Sequence, residues 1–117
     1  MSRMNRTRYC LALDLNNDEK LIAEYEHWHE AIWPEIKQSI LESGITEMEI
    51  YRLEDRLFMI METDDSFDFE KKAAMDSANP AVQRWEELMW KYQKAIPGGR
   101  EGEKWRLMNK IFKLTEQ

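Results

Sequence analysis

The run EYEHWHEAIWPEI, residues 24 to 36, gathers the side chains of this chain best suited to proton chemistry. It holds both histidines, two of the five tryptophans, a tyrosine and a proline. An imidazole titrates near neutrality, so it can lend and take a proton at physiological pH. Tyr25 lies four residues before His29, one helical turn away on the same face. Its hydroxyl can bind a substrate oxygen or hold the ring's orientation. Wound at helical pitch, Leu21, Ile22, Tyr25, Trp28, His29, Ile32 and Trp33 share one face, and Glu24, Glu26, His27 and Glu30 fall outside it. His27 is therefore expected in water among glutamates. His29 is expected inward, where an imidazole can be desolvated and aimed. The plain structural alternative for His29 is a core histidine bonded to a backbone carbonyl. A metal site is not supported, because no second histidine or cysteine lies at ligand spacing.

A second stripe runs through Val82, Trp85, Leu88, Met89, Tyr92 and Ile96. Its pattern makes Trp85 a core residue. Glu86 sits on the border of the stripe, either as an ordinary solvated charge or as a carboxylate reaching hydroxyl groups at a pocket rim. Trp90 is off the stripe and is read as an interface residue. Other chemistry is sparse. PGGREGE follows a helix rather than opening one and lacks the phosphate-cradling glycine patterns, so it is read as a connector. Cys10 lies inside a strand with no sign of activation.

These side chains need elements to position them. RYCLALDL (8–15) alternates, with Tyr9, Leu11, Leu13 and Leu15 on one face, and predicts a strand. Asn17 or Asp18 caps a helix expected from about Glu19 to about Ile32. Trp33-Pro34 interrupts it, and Pro34 opens a further helical segment stopped by Gly44. EMEIYRL (47–53) and RLFMIMET (56–63) predict a hairpin across Glu54-Asp55. A short helix capped at Asp65 or Ser66 follows. Asn79-Pro80 then starts a helix expected over AVQRWEELMWKYQKAI (81–96). WRLMNKIFKL (105–114) alternates and is expected to close the sheet as a fourth strand. The order β-α-β-β-α-β, with the second α split in two, predicts a ferredoxin-like α+β fold with helices on one face of an antiparallel sheet. The third strand is apolar on both faces: Leu57, Met59 and Met61 on one, Phe58 and Ile60 on the other. A second apolar face requires a partner surface, which predicts a homodimer through the sheet faces, a dimeric α/β barrel. The alternative is a monomer whose sheet curls around an internal pocket.

The totals narrow the function classes. A length of 117 residues predicts one domain, with residues 1–7 a loose lead-in to the first strand. Net charge is −6 and spread along the chain, which opposes phosphate backbones and argues against a nucleic-acid partner. No apolar run approaches a membrane span, and no secretory signal is evident. A single cysteine fits a reducing compartment, so the expected location is cytoplasmic.

The combination Y-x-x-x-H-x-x-I-W-P over Tyr25, His29 and Ile32-Trp33-Pro34, followed by Glu35, Gly44, Ile50-Tyr51 and Gln83-Arg84-Trp85, resembles the L-rhamnose mutarotase family. The likeness spans nearly the whole chain. The segments EIYRL and LFMIMET resemble the branch of that family assigned to L-fucose. The resemblance implies a cofactor-free isomerase that interconverts the α and β anomers of a 6-deoxy-L-sugar, on a ferredoxin-like fold that dimerises through its sheets. It implies that His29 is the proton donor, that Tyr25 binds the sugar and that Trp85 lines the pocket. Two positions depart from the rhamnose pattern. A pocket tyrosine is here Met48, and a tryptophan directly after Trp85 is here Glu86. Exchanging an aromatic wall and a hydroxyl for a thioether and a carboxylate implies a different pattern of bonded sugar hydroxyls and argues against L-rhamnose, and the likeness to the L-fucose branch makes L-fucose the favoured monosaccharide ligand. Two rivals remain open at this point: a cofactor-free monooxygenase on the same dimeric fold, which would want a larger and drier pocket, and a non-catalytic sugar-binding module.

Overall fold

Alternating apolar residues at 8–15 form a strand because every second side chain can leave water together. In the computed structural model, which describes residues 6–100 and 103–117, that strand is β1 (Thr7–Leu15). The expected lead-in falls mainly on residues 1–5, which lie outside the described residues; Thr7 already belongs to the strand. The hairpin forms as β2 (Ile45–Leu53) and β3 (Arg56–Thr63). β3 lies antiparallel between β1 and β2, so β1 and β2 run in the same direction. With β4 at Gln93–Lys94, the sheet order is β2-β3-β1-β4, an α+β architecture with an antiparallel sheet.

Local signals set most helix boundaries. Asp18 caps α1 (Glu19–Trp28), its Oδ1 accepting from the backbone N–H of Lys20 at 2.9 Å and of Leu21 at 3.1 Å. Pro34 is the first residue of α2 (Pro34–Glu42). Gly44 ends it in a left-handed conformation at φ 98°, with Asp64 Oδ1, Ser66 Oγ and the Phe67 nitrogen packed where a side chain would go. Asn79 caps α4 (Pro80–Trp90) by accepting from Ala81 and Val82. The cap of α3 (Phe69–Ala78) is Asp68, not Asp65 or Ser66. Asp64 draws Ser66 into a turn, accepting from its backbone N–H at 2.9 Å and its hydroxyl at 2.6 Å, and the helix begins only after that turn.

Three further expectations are corrected. α1 ends at Trp28 rather than near Ile32. Pro34 has no N–H for the carbonyl of Glu30 and its ring would strike that carbonyl, while Trp33 before it is extended at ψ 137°. α4 ends at Trp90 rather than at Ile96, because Asn16 at the end of β1 takes the carbonyls of Lys91 and Tyr92 and the chain turns into β4 (Gln93–Lys94). The strand expected at 105–114 pairs only as β5 (Arg106–Leu107), against Leu11 and Ala12. The edge of β1 is thus shared by two short strands. Beyond Met108 the chain makes no further ladder, apart from a 3₁₀ turn at Leu114–Glu116.

The two faces of the sheet differ. Leu11, Leu13, Leu15, Leu57, Met59 and Met61 are buried on the inner face; Leu15 and Leu57 pack with Tyr25, Ile36, Val82, Trp85 and Met89 of the helices, and Leu11, Met59 and Met61 form a second cluster with Ile45. On the outer face the register aligns Ala12, Phe58 and Tyr51 in one row and Cys10, Ile60 and Glu49 in the next. Charged rows flank them: Arg56 pairs with Asp14 at 2.7 Å and Arg8 with Glu62 at 3.2 Å.

Candidate active site

The early end of α1 sets the geometry of His29. With the helix tightening at its last turn, the His29 backbone N–H donates to Glu26 three residues back, at 3.1 Å. The Tyr25 carbonyl, the ordinary helical partner of that N–H, is left over. The imidazole of His29 takes it, Nδ1 lying 2.8 Å from the Tyr25 oxygen. A carbonyl only accepts, so Nδ1 carries the hydrogen and Nε2 holds the lone pair. The backbone-bonded histidine and the inward, aimed histidine are therefore the same arrangement. Burial lowers the His29 pKa below its ordinary value, with the Tyr25 carbonyl opposing part of the shift, so the neutral ring prevails at neutral pH. His27, by contrast, is exposed beside Glu30, as its place on the helix predicts.

Aromatic rings hold the imidazole on two sides. Its centroid is 4.3 Å from that of Tyr25 and 5.6 Å from that of Trp85. Trp85 in turn meets Trp33 edge-on at 5.0 Å and Trp28 at 6.4 Å. Trp28 is anchored from behind, donating its indole N–H to the Tyr92 hydroxyl at 3.1 Å, which donates to Glu24 at 3.3 Å. The clustered aromatics of residues 24–36 thus brace one imidazole.

His29, Tyr25, Trp85, Glu86 and Met48 all line a single cavity of about 510 Å³ between the inner sheet face and the helices. The five sequence-predicted site residues, drawn from α1, its C-cap, β2 and α4, are brought together. Tyr25 is buried, and burial pushes its pKa up to about 12, with the nearby Gln93 amide opposing. Its hydroxyl keeps its proton and remains a donor. Glu86 is half-buried. Its backbone carbonyl accepts from Lys104 Nζ at 2.9 Å, and that ammonium stands 4.6 Å above the Trp90 ring. Burial pulls the Lys104 pKa down while Glu86 pulls it up. Trp90 lines the cavity beneath Lys104 and is 40% exposed.

Several lining residues escaped the pattern reading. Lys72 and Asp76 of α3 form an ion pair at 2.5 Å in the cavity wall. Their i,i+4 spacing was visible, but nothing local shows that this face of α3 meets the cavity. Lys104 and Trp105 arrive from beyond the connector. Gln93 was hidden by the expectation of a continuous helix. On β4 it pairs with Leu15, so its side chain leaves the sheet on the inner face. No group of three or more histidine, cysteine, aspartate or glutamate side chains among the described residues could hold a metal ion, and no helix there is long and apolar enough to cross a membrane.

Comparison with known proteins places this arrangement. Residues 8–114 match the family model described as L-rhamnose mutarotase. An L-fucose mutarotase from Xanthomonas campestris pv. campestris is 48% identical over 115 residues, covering 97% of this chain and 92% of that protein. The crystal structure of an L-rhamnose mutarotase from Formosa agariphila superposes with a TM-score of 0.68 at 22% identity, covering 92% of this chain and 98% of that one. A tetracenomycin F2 cyclase from Streptomyces glaucescens, a type-II polyketide cyclase, shares the fold at a TM-score of 0.58 and 17% identity, with 92% and 95% covered. The two structures speak to fold; the family model and the 48%-identical relative, each spanning almost the whole sequence, speak to descent. On that ground the chain belongs to the L-rhamnose mutarotase family.

Proposed function

We propose that this protein interconverts the α and β anomers of a 6-deoxy-L-sugar, with L-fucose preferred over L-rhamnose, and that His29 carries the proton. The observation that bears most weight is the Nδ1 bond of His29 to the Tyr25 carbonyl, which leaves a neutral Nε2 lone pair at the cavity wall. Mutarotation asks for little else. Nε2 takes the hydrogen of the C1 hydroxyl while the C1–O5 bond breaks. The bonding pair goes to O5 and C1 becomes an aldehyde carbon. O1 and O5 are both attached to C1, so the same imidazolium can return its proton to O5. Rotation about C1–C2 then offers the other carbonyl face, and the steps reverse to close the ring. One positioned acid–base group contributes about 10²- to 10⁴-fold, enough for a reaction that already runs slowly in water.

The remaining residues bind and orient. Tyr25 donates its hydroxyl hydrogen to a sugar oxygen. Trp85 lies against an apolar sugar face, where C–H groups meet its ring. Glu86 accepts from a sugar hydroxyl, and Met48 gives a thioether wall where the rhamnose pattern has a phenol. The L-fucose preference is supported by these two departures and by the 48% identity to a protein named for that sugar.

A homodimer is part of the same proposal. On the outer face Phe58 and Ile60, with Ala12 and Cys10 beside them, form an apolar strip between two ion-paired rows, edged on β2 by Tyr51 and Glu49, the layout of an interface core with its rim. Ile111 is 95% exposed and Leu114 75%, so the alternating tail that lacks a ladder in one chain has apolar side chains to bury against a second copy.

Anomeric exchange measured by proton NMR saturation transfer tests the activity, with L-fucose, L-rhamnose and a D-hexose control. Faster exchange for L-fucose than for L-rhamnose is expected. A folded sample that accelerates none of them would reduce the protein to a binding module or to another reaction.

A further inference from the structure

Gln93 is 6% exposed, and its Oε1 is a buried side-chain atom with no hydrogen-bond partner among the described residues. Buried amide oxygens are nearly always satisfied, and leaving one bare destabilises the fold. The bare atom is also not at a random place. Gln93 lines the same cavity as His29 and Tyr25. Its backbone is fixed by the pairing of β4 with β1, Gln93 opposite Leu15, and by the Asn16 N–H donating to the Tyr92 carbonyl at 2.8 Å. A rigid sheet position with a buried, unpaired acceptor in a ligand cavity is a site built for a donor that arrives with the ligand.

We infer that Gln93 is a substrate-binding residue whose Oε1 accepts the hydrogen of one ring hydroxyl of the sugar. The inference rests on the mutarotase reading above and adds a residue to it. Gln93 also acts on the Tyr25 phenol, offsetting part of the effect of burial on its pKa. The two side chains therefore divide their roles. Tyr25, which keeps its proton, serves the ligand as a donor, and Gln93 Oε1, buried and unpartnered in the same cavity, serves it as an acceptor. A sugar ring, whose hydroxyls both donate and accept, matches such a pair, whereas an apolar ligand would bury Oε1 unpaired. The neighbouring ion pair of Lys72 and Asp76 satisfies itself and leaves no such deficit.

Gln93→Met removes the amide and keeps the length. Because it deletes an unsatisfied buried polar group, the sugar-free variant should melt no lower than the wild type, while its KM for L-fucose exchange rises about 10-fold with a smaller change in kcat. The 2-, 3- and 4-deoxy analogues of L-fucose give the sharper readout. The wild type should disfavour one of them about 10-fold relative to L-fucose, and Gln93→Met should no longer distinguish that one from the parent sugar. A variant with a lowered Tm and unchanged KM, or one that keeps wild-type discrimination against all three analogues, would overturn the inference and make Gln93 structural. Should the variant not fold, the wild-type side-chain amide resonance of Gln93 decides: it must shift on titration with L-fucose, and an unmoved resonance at saturation overturns the role. A wild type that accelerates no sugar would instead overturn the mutarotase reading, and this inference with it.

Discussion

The imidazole of His29 donates from Nδ1 to the backbone carbonyl of Tyr25 at 2.8 Å, one turn back along the same chain. One bond does three things: it satisfies a carbonyl orphaned by the end of α1, fixes the tautomer, and turns the basic nitrogen away from the backbone.

His29→Ala should lower the rate of anomer exchange by about 10²- to 10⁴-fold. The fold should survive, since the ring is only half-buried and the braces around it come from Trp28, Trp33 and Trp85. Saturation transfer on the folded variant checks it, and wild-type exchange rates would remove His29 from the mechanism.

The pH dependence has a definite sign. Burial lowers the folded pKa of His29 from 6.5, so kcat/KM should rise with pH through a midpoint below 6.5 and be flat from pH 7 to 8. For stability, the unfolded chain binds the proton first as pH falls. The contribution of His29 is therefore fully present above about 6.5 and lost as pH falls through its lower folded value. Melting curves between pH 4 and 8 should show this slope in the wild type and a shallower one in His29→Ala.

Sugar preference should follow the two departures from the rhamnose pattern. Restoring the phenol and the indole with Met48→Tyr and Glu86→Trp is expected to move the L-fucose to L-rhamnose ratio of kcat/KM toward rhamnose, by about 10-fold for the pair. An unchanged ratio would show that other wall residues set the choice.

Gly44→Ala should destabilise the fold by about 1–3 kcal/mol. Its φ of 98° is strained for any other residue, and an added Cβ would stand 2.9 Å from the backbone nitrogen of Phe67, which cannot rotate aside. Urea titration gives the number; a loss within error of zero would mean that the turn relaxes.

Phe58→Asp puts a charge into the apolar band of the outer sheet face. Light scattering should fall from twice the 14.2 kDa chain mass in the wild type to the single-chain mass in the variant. A wild type that already scatters as one chain would exclude the dimer.

Much of the fold was legible because its causes are local. Asp18, Pro34, Gly44 and Asn79-Pro80 each act on backbone groups within a few residues, and structure follows them. The same holds for the faces of β1 and β3, where alternation alone sorts Leu11, Leu57 and Met59 from Ala12 and Phe58. The inward turn of His29 and Tyr25 was legible for the same reason, and the family resemblance then drew Trp85, Glu86 and Met48 to the same pocket. The Asp68 cap was missed even though its cause is local, because two plausible caps compete for it.

What the sequence by itself determined, then, is the order of elements, their inner faces and the pairing of a histidine with a tyrosine one turn away. Tertiary structure decided where elements stop and what they bring with them. The residues from Lys91 to Ile96 have helical spacing, but Asn16 and the edge of β1 offer their backbone groups better partners, so α4 yields to β4 and Gln93 enters the cavity. The tail at 105–114 alternates like a strand, but a strand exists only where another backbone pairs with it, and within one chain that is two residues. Hydrogen-bond partners distant in sequence leave no local periodicity, which is why Gln93 appeared only when the chain was folded.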